Sequence, residues 1–243
     1  MIENNKKTLT FLWCIPRSIS TAFEKMMSCS RQFKVVGEPF IDLYKRSLLL
    51  ANDPLTMQQK FEDVCEELLT QSMTEPVFVK DMAYHAYPFI TDNFIQSVNN
   101  TFLIRDPRLS IPSLYKMRAN FAEAETGFEG QYKLFQRIQD VTGRTPYVLD
   151  GERLKQSADL IISDYFKYIG QKMPRDILSW QAGSRDDWVG RESWHIEAIN
   201  SQGYEKSDNK INIKEMPQKV IESIERNMYF YQQMYMQIST QIN

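Results

Sequence analysis

The chain has 243 residues, 42% of them hydrophobic and 25% charged, with a formal net charge of −2. Length and apolar content suit one α/β domain over residues 1–243, with a helical C-terminal part from about 215 to 243. The charge balance excludes a general nucleic-acid binder, and no apolar run is long enough to span a bilayer. Cys14, Cys29 and Cys65 are odd in number and irregularly spaced, so neither a disulfide framework nor a zinc site is expected. The N-terminus lacks the apolar core of a signal peptide, and a cytoplasmic location is expected.

The first predicted strand covers 8–15. Residues 11–23 read Phe-Leu-Trp-Cys-Ile-Pro-Arg-Ser-Ile-Ser-Thr-Ala-Phe: the strand, a cationic hydroxyl-rich turn, and the start of a helix at 20–29. Such a junction makes an anion site. Backbone N–H groups converge there, Ser18, Ser20 and Thr21 add hydroxyls, Arg17 adds a forked cation, and the helix dipole favours phosphate. The turn has no glycine, so the G-x-x-x-x-G-K-[ST] spelling of ATP-binding loops is absent. Thr21 and Glu24 also spell a capping box. From this segment alone the two readings stand level.

A second strand at 33–37 leads into Glu38, and helices follow at 41–50 and 57–73. The strand at 76–81 carries Lys80 and Asp81. His85 lies just beyond, among aromatics, where a lone histidine is more often packed than catalytic. After a helix at 90–97, the strand at 100–105 ends on Arg105, and the helix at 108–120 carries Ser113 eight residues later. A helix at 130–142 and a strand at 146–150 complete the alternation. A helix at 155–170 is expected to pack Leu160, Ile161, Tyr165 and Ile169 and to end at Gly170. Alternation of this kind predicts a three-layer fold around a central, mainly parallel sheet of about five strands. Open sheets of that class bind ligands outside their strand C-termini, and Arg17, Glu38, Lys80 and Arg105 all fall at or near such ends. Residues 181–214 read as a long loop with short helical pieces, a lid or binding loop. The stripe Val220, Ile224, Met228, Tyr231 and Tyr235 predicts a helix at 217–239 serving a core or an interface.

The turn built on Pro16, Arg17 and Ser18 in place of glycines resembles the loop of sulfotransferases that holds the 5′-phosphosulfate of PAPS, 3′-phosphoadenosine 5′-phosphosulfate. Arg105 and Ser113, eight apart, resemble that family's grip on the 3′-phosphate, and the Arg-Asp-Pro-Arg wording at 105–108 and Tyr115 agree with it. The resemblance covers about residues 8–205. It implies a single sulfotransferase-like domain with a P-loop NTPase-like fold. It also implies donor contacts from Pro16, Arg17, Ser18, Ile19, Ser20 and Thr21 at one end and from Arg105 and Ser113 at the other.

Arg17 stands where cytosolic sulfotransferases carry lysine, and looks like the arginine of the tyrosylprotein and bacterial carbohydrate enzymes, with an electrostatic role. Lys80, 25 residues before Arg105, is similar to the second active-site lysine; the catalytic histidine of the cytosolic enzymes would fall at Met82. Glu38 is the preferred base, His85 the second choice and Asp81 a third that is expected to cap or to pair with Lys80. A Glu38 paired with Arg17 or Lys80 would be a weaker base. The segment holding Trp180, Trp188, Trp194, His195 and Tyr204 looks like the C-terminal part of a bacterial sulfotransferase-like family. Arg185 and Arg191 are its candidates for the 3′-phosphate, and Trp188 or Trp194 for covering adenine. His195, like His85, is read cautiously. Gly151 stands where the family carries a tyrosine.

The resemblance implies sulfuryl transfer from PAPS to a hydroxyl of a small molecule or carbohydrate, leaving PAP, with no metal and with no nucleic-acid or membrane partner. Stretches 41–60, 84–90 and 121–130 are expected to line the acceptor pocket. The rival readings are a P-loop-type nucleotide kinase, whose Walker lysine and metal ligands are not found, and a non-catalytic nucleotide-binding domain. The acceptor's identity and the oligomeric state are not written in the sequence.

Overall fold

The structure, a computed structural model, describes residues 8–49, 54–204 and 211–238. Five strands form one sheet: β1 (Leu9–Cys14), β2 (Lys34–Gly37), β3 (Val77–Met82), β4 (Asn99–Ile104) and β5 (Tyr147–Asp150). The order is β2-β3-β1-β4-β5, and every pairing is parallel. Each strand lies within two residues of its predicted place.

The side-chain alternation of β1 explains the layers. Leu9, Phe11 and Trp13 enter one core with Val77, Val79, Phe102, Ile104 and Val148. Leu12 and Cys14 enter the other with Phe78, Leu103 and Leu149. A strand covered on both faces is mostly apolar: β1 departs from this only at Thr10, and β4 becomes apolar from Phe102 onward, after Asn99, Asn100 and Thr101.

The helices are α1 (Ser20–Cys29), α2 (Ile41–Leu49), α3 (Pro54–Ser72), α4 (Ala83–Ala86), α5 (Asp92–Ser97), α6 (Pro107–Met117), α7 (Phe128–Thr142), α8 (Gly151–Gln156), α9 (Ala158–Tyr168), α10 (Glu192–Asn200) and α11 (Gln218–Ile238). The predicted helix at 155–170 is two helices, α8 and α9, broken at Ser157. α9 buries Ile162, Tyr165 and Phe166, while Leu160, expected inside, is exposed. The expected loop at 181–214 contains the two-turn helix α10. The predicted helix ends at residues 50 and 239, the tail to 243, and parts of the 41–60 and 181–214 stretches lie outside the described residues.

Where β1 and β4 end, the sheet parts. The last pairs in register are Trp13 with Phe102 and Cys14 with Leu103. Gln131 of α7, fully buried, donates its amide to the carbonyls of Trp13 and Leu103, both at 3.0 Å. Satisfying both carbonyls from one side chain lets the chain diverge there.

Candidate functional site

The turn between β1 and α1 is the centre of the site. Arg17 and Ile19 both adopt left-handed backbone, with φ of 59° and 65°. For a β-branched residue this is costly, about 1–3 kcal/mol, and such strain collects at functional turns. Left-handed residues flank Ser18, a backbone pattern of the kind that makes anion-binding concavities. The Ala22 and Phe23 N–H groups donate to the Ile19 carbonyl, which leaves those of Ser20 and Thr21 for another acceptor. Ser18 is buried and donates its hydroxyl to the Ile15 carbonyl at 2.7 Å, so it braces the turn. Pro16 packs against the turn at Gly127.

The capping-box reading is not realised. Ile19 is the N-cap and makes no side-chain bond. Glu24 is buried and faces Lys80 and Trp188. Gly151 approaches the same turn: a Cβ there would lie 3.2 Å from the Ser18 carbonyl oxygen and 3.3 Å from Ile19 Cγ1. Any side chain at that position would have to push against this turn.

A cavity of about 1150 Å³ opens at this edge of the sheet. Its walls include Arg17, Ile19, Ser20, Thr21, Arg105 and Ser113, so the two segments with anion-binding character share one space. They also touch: Arg17 Nε donates to Ser113 Oγ at 2.8 Å, and Arg105 Nη1 donates to the Arg17 carbonyl at 2.8 Å.

Carboxylates face both arginines. Glu152, just past β5, accepts from Arg105 Nε at 2.9 Å and lies 3.5 Å from Lys155 Nζ. Glu197 of α10 lies 3.1 Å from Arg17 Nη2, and the Trp194 carbonyl accepts from Arg17 Nη1 at 3.2 Å. Trp194, His195 and Glu197 all line the cavity. The helix that carries them is pinned to α1 by Lys25, whose buried ammonium donates to the carbonyls of Ala198 and Ile199 at 2.8 and 3.1 Å.

Deeper in the molecule, Lys80 is fully buried between Glu38 Oε1 at 2.5 Å and Glu24 Oε2 at 3.2 Å. Burial alone would raise the Glu38 carboxyl. The Lys80 charge and hydrogen bond outweigh it and hold that group at about 2. The same partners outweigh burial at Lys80 and raise its ammonium well above the usual lysine range. Glu38 takes a left-handed backbone, φ 49°, while its N–H still donates to the Lys80 carbonyl at 2.7 Å. Gly37 leaves room for this pair: a Cβ on it would lie 2.8 Å from Glu24 Oε1 and would push that carboxylate aside.

Asp81 does not pair with Lys80. Adjacent strand residues point to opposite faces. Asp81 therefore accepts from the Phe40 N–H at 2.9 Å and from His85 Nδ1 at 2.7 Å on the far side of the sheet. His85 is buried there beside Tyr44 and Tyr84. Glu38, Lys80 and His85 are not among the residues lining the cavity.

Neither C-terminal arginine lines it either. Arg185 donates to both Asp187 oxygens, at 2.8 and 2.9 Å, and stacks on Trp188, against a separate shallow surface with Ser28 and Phe33. Arg191 is the N-cap of α10. Trp188 is buried and bonded to Glu24, which leaves the half-exposed Trp194 as the tryptophan facing the cavity. Parts of the stretches expected around an acceptor do converge: Tyr44 packs on Tyr84, and Gly127 and Gly130 abut Tyr84.

Glu24, Glu152, Lys155 and Glu197 are the residues that the motifs did not single out for this region; His195 was noted with the C-terminal segment, but without a role. Glu152 had a signal. It follows β5 as Arg105 follows β4, and the strand-end rule extends to it. Glu197 had none, since only the docking of α10 on α1 brings it to Arg17.

No curated protein sequence matches the chain. Among solved structures, the sulfotransferase domain from the Synechococcus PCC 7002 olefin synthase is similar in fold, with a TM-score of 0.52 and 11% identity, covering 90% of this chain and 93% of that one. The sulfotransferase domain from the curacin biosynthetic pathway gives a TM-score of 0.46 and 14% identity, over 91% of this chain and 95% of that one. A family model described as the sulfotransferase domain matches residues 8–237. That match spans both arginine-bearing turns, the Lys80 cluster and α10, and by it the chain belongs to the sulfotransferase domain family.

Proposed function

We propose that the protein transfers a sulfuryl group from PAPS to a hydroxyl of a small molecule or carbohydrate. The observation that carries this reading is the shared cavity, in which Arg17, Ser20 and Thr21 stand beside Arg105 and Ser113. One bisphosphorylated nucleoside needs two anion grips within its own length. A space of about 1150 Å³ is ample for it.

The residues fit the donor on a further count. Glu152 and Glu197 lie against the arginines, yet the Glu197 side chain is 78% exposed, so an incoming phosphate can displace it. PAPS supplies an activated sulfuryl group on a phosphate leaving group. The chain's part is to grip it, orient it and stabilise the charge that grows on that phosphate. Arg17 serves the last purpose, because a guanidinium stays protonated and acts electrostatically. Arg105 and Ser113 fix the distal phosphate. Glu38 and Glu24 hold Lys80 charged beneath the turn. The three free cysteines suit a reducing compartment such as the cytoplasm.

Titration calorimetry tests the donor reading. PAP is expected to bind without added metal, and ATP with magnesium is expected not to compete. Tight ATP–magnesium binding with no heat from PAP would turn the reading into that of a kinase-like protein.

A further inference from the structure

We propose that His195, on α10, is the group that takes the proton from the attacking hydroxyl. The inference rests on the PAPS-dependent reading above. It moves the base from the β2 and β3 ends, where Glu38 and His85 lie, to the helix that covers the cavity.

The geometry has four parts. His195 lines the cavity that holds Arg17, Ser20 and Thr21, whereas Glu38 and His85 do not. Its Nδ1 is 3.4 Å from Thr21 Oγ1, one residue beyond Ser20 on the first turn of α1, so the ring stands at the end of the site where the donor's reacting group belongs. Its ring packs on Trp188 at 4.9 Å between centroids, and Trp188 is fixed by its bond to Glu24. Lys25 holds the end of α10, so the helix that carries the imidazole is anchored.

The charged groups around it come from four elements: Glu24 from α1, Glu38 after β2, Lys80 from β3, and Arg191 and Glu192 at the start of its own helix. Burial, then Lys80 and Arg191, lower the imidazole below the usual histidine value of 6.5, against the opposing pull of Glu24 and Glu38. A histidine so placed is neutral at pH 7 and able to accept a proton. Glu38, held at about 2 by Lys80, is a much weaker acceptor.

In the step itself the acceptor oxygen bonds to sulfur as the bond from sulfur to the 5′-phosphate oxygen breaks. The hydroxyl proton passes to His195 Nε2, whose lone pair is free in the tautomer that directs Nδ1–H at Thr21. The electron pair of the broken bond leaves on the phosphate oxygen, where Arg17 stabilises it. The imidazolium then returns its proton to solvent.

The test uses the full chain, PAP as the binding probe and PAPS desulfation with water standing for the acceptor hydroxyl. His195→Gln is expected to bind PAP within about threefold of the parent and to lose roughly a hundredfold or more in desulfation at pH 7. The parent's rate is expected to fall in acid with a midpoint below 6.5, and the variant to lack that limb. The chain has two histidines, so imidazole NMR needs few assignments, and contacts to the Trp188 ring mark His195 in the parent even if the variant does not fold. PAP is expected to shift the His195 signals and raise their midpoint. A His195 ring indifferent to bound PAP, or a folded variant that keeps more than a third of the desulfation rate, overturns the assignment while leaving the donor reading intact. A parent that does not bind PAP overturns both.

Discussion

Two groups of ion pairs lie close together in this protein and do opposite work. Around the cavity, Arg17 meets Glu197 and Arg105 meets Glu152, each arginine against a carboxylate that solvent reaches. Beneath the turn, Lys80 is enclosed by Glu24 and Glu38, with almost no exposure of the lysine or of Glu24. The residue types are nearly the same. Burial decides the difference: exposed pairs contribute little to stability and exchange partners freely, whereas a buried charge must keep its partner. The first group can therefore trade carboxylates for a ligand's phosphates, and the second cannot trade at all.

The largest effect that would sharpen this contrast is at Lys80. Lys80→Met strands the buried Glu24 carboxylate and the mostly buried one of Glu38, and is expected to lower folding stability by about 3–5 kcal/mol, read from the urea midpoint. If the loss were only a few tenths, the lysine would not be holding the knot together. The pH dependence follows from the same pair. The Glu38 carboxyl lies at about 2 in the folded chain, below its ordinary 4.5. Its contribution is thus fully present above pH 4.5 and is lost as pH falls towards 2. The Lys80 ammonium is shifted upward by the same interaction, counted once, so its share is lost only above 10.5. A stability profile flat between pH 5 and 2 would contradict the pairing.

Next in size are the cavity arginines. Arg105→Ala is expected to weaken PAP binding by about 2–4 kcal/mol, as for losing one member of a charged pair, with little change in the urea midpoint. Calorimetry of variant against parent decides this. Loss of stability with unchanged PAP affinity would place Arg105 in the scaffold instead. Arg17→Ala is expected to depress PAPS desulfation more than PAP affinity, because its charge matters most as the leaving phosphate gains charge. Equal losses in both would make Arg17 a binding residue only.

The contrast also marks what the sequence could disclose. The strands were legible from short apolar stretches such as Phe11 to Trp13 and Phe102 to Ile104, Arg17 stood out in the cationic turn after β1, and Arg105 with Ser113 stood out only through their resemblance to sulfotransferases. The destination of Lys80 was half legible. A pair with Arg17 or Lys80 stands in the sequence only as the alternative to Glu38 as base, and Glu24 reads as a capping residue because helix-start patterns carry no information about what lies under the first turn. Asp81 was expected to cap or to pair with Lys80; the strand pleat turns it away from Lys80, and it accepts from the Phe40 and Met82 N–H groups and from His85. α10 was the least legible element. Its sequence mixes polar and aromatic residues without a clean stripe, and what fixes it is a lysine on another helix reaching its last carbonyls. Contacts of that kind, between residues some 170 positions apart, leave no local trace.

The smallest expected effect probes whether the cavity pairs really are exchangeable. Glu152 is bound to Arg105 through a guanidinium bond and lies near Lys155, so a nucleotide bound as proposed would have to loosen a carboxylate that already partners the arginine. Glu152→Gln keeps the shape, removes the competing charge, and is expected to tighten PAP several-fold. Glu197→Gln is expected to tighten it less, because the more exposed Glu197 carboxylate is better screened and competes more weakly for Arg17. The gain should fade as salt is raised, since added ions screen the same carboxylates that the substitutions remove. If Glu152→Gln instead weakened PAP, the carboxylate would be orienting Arg105 for its phosphate, and the Arg105 pair would belong with the Lys80 knot, as a contact that the site has to keep.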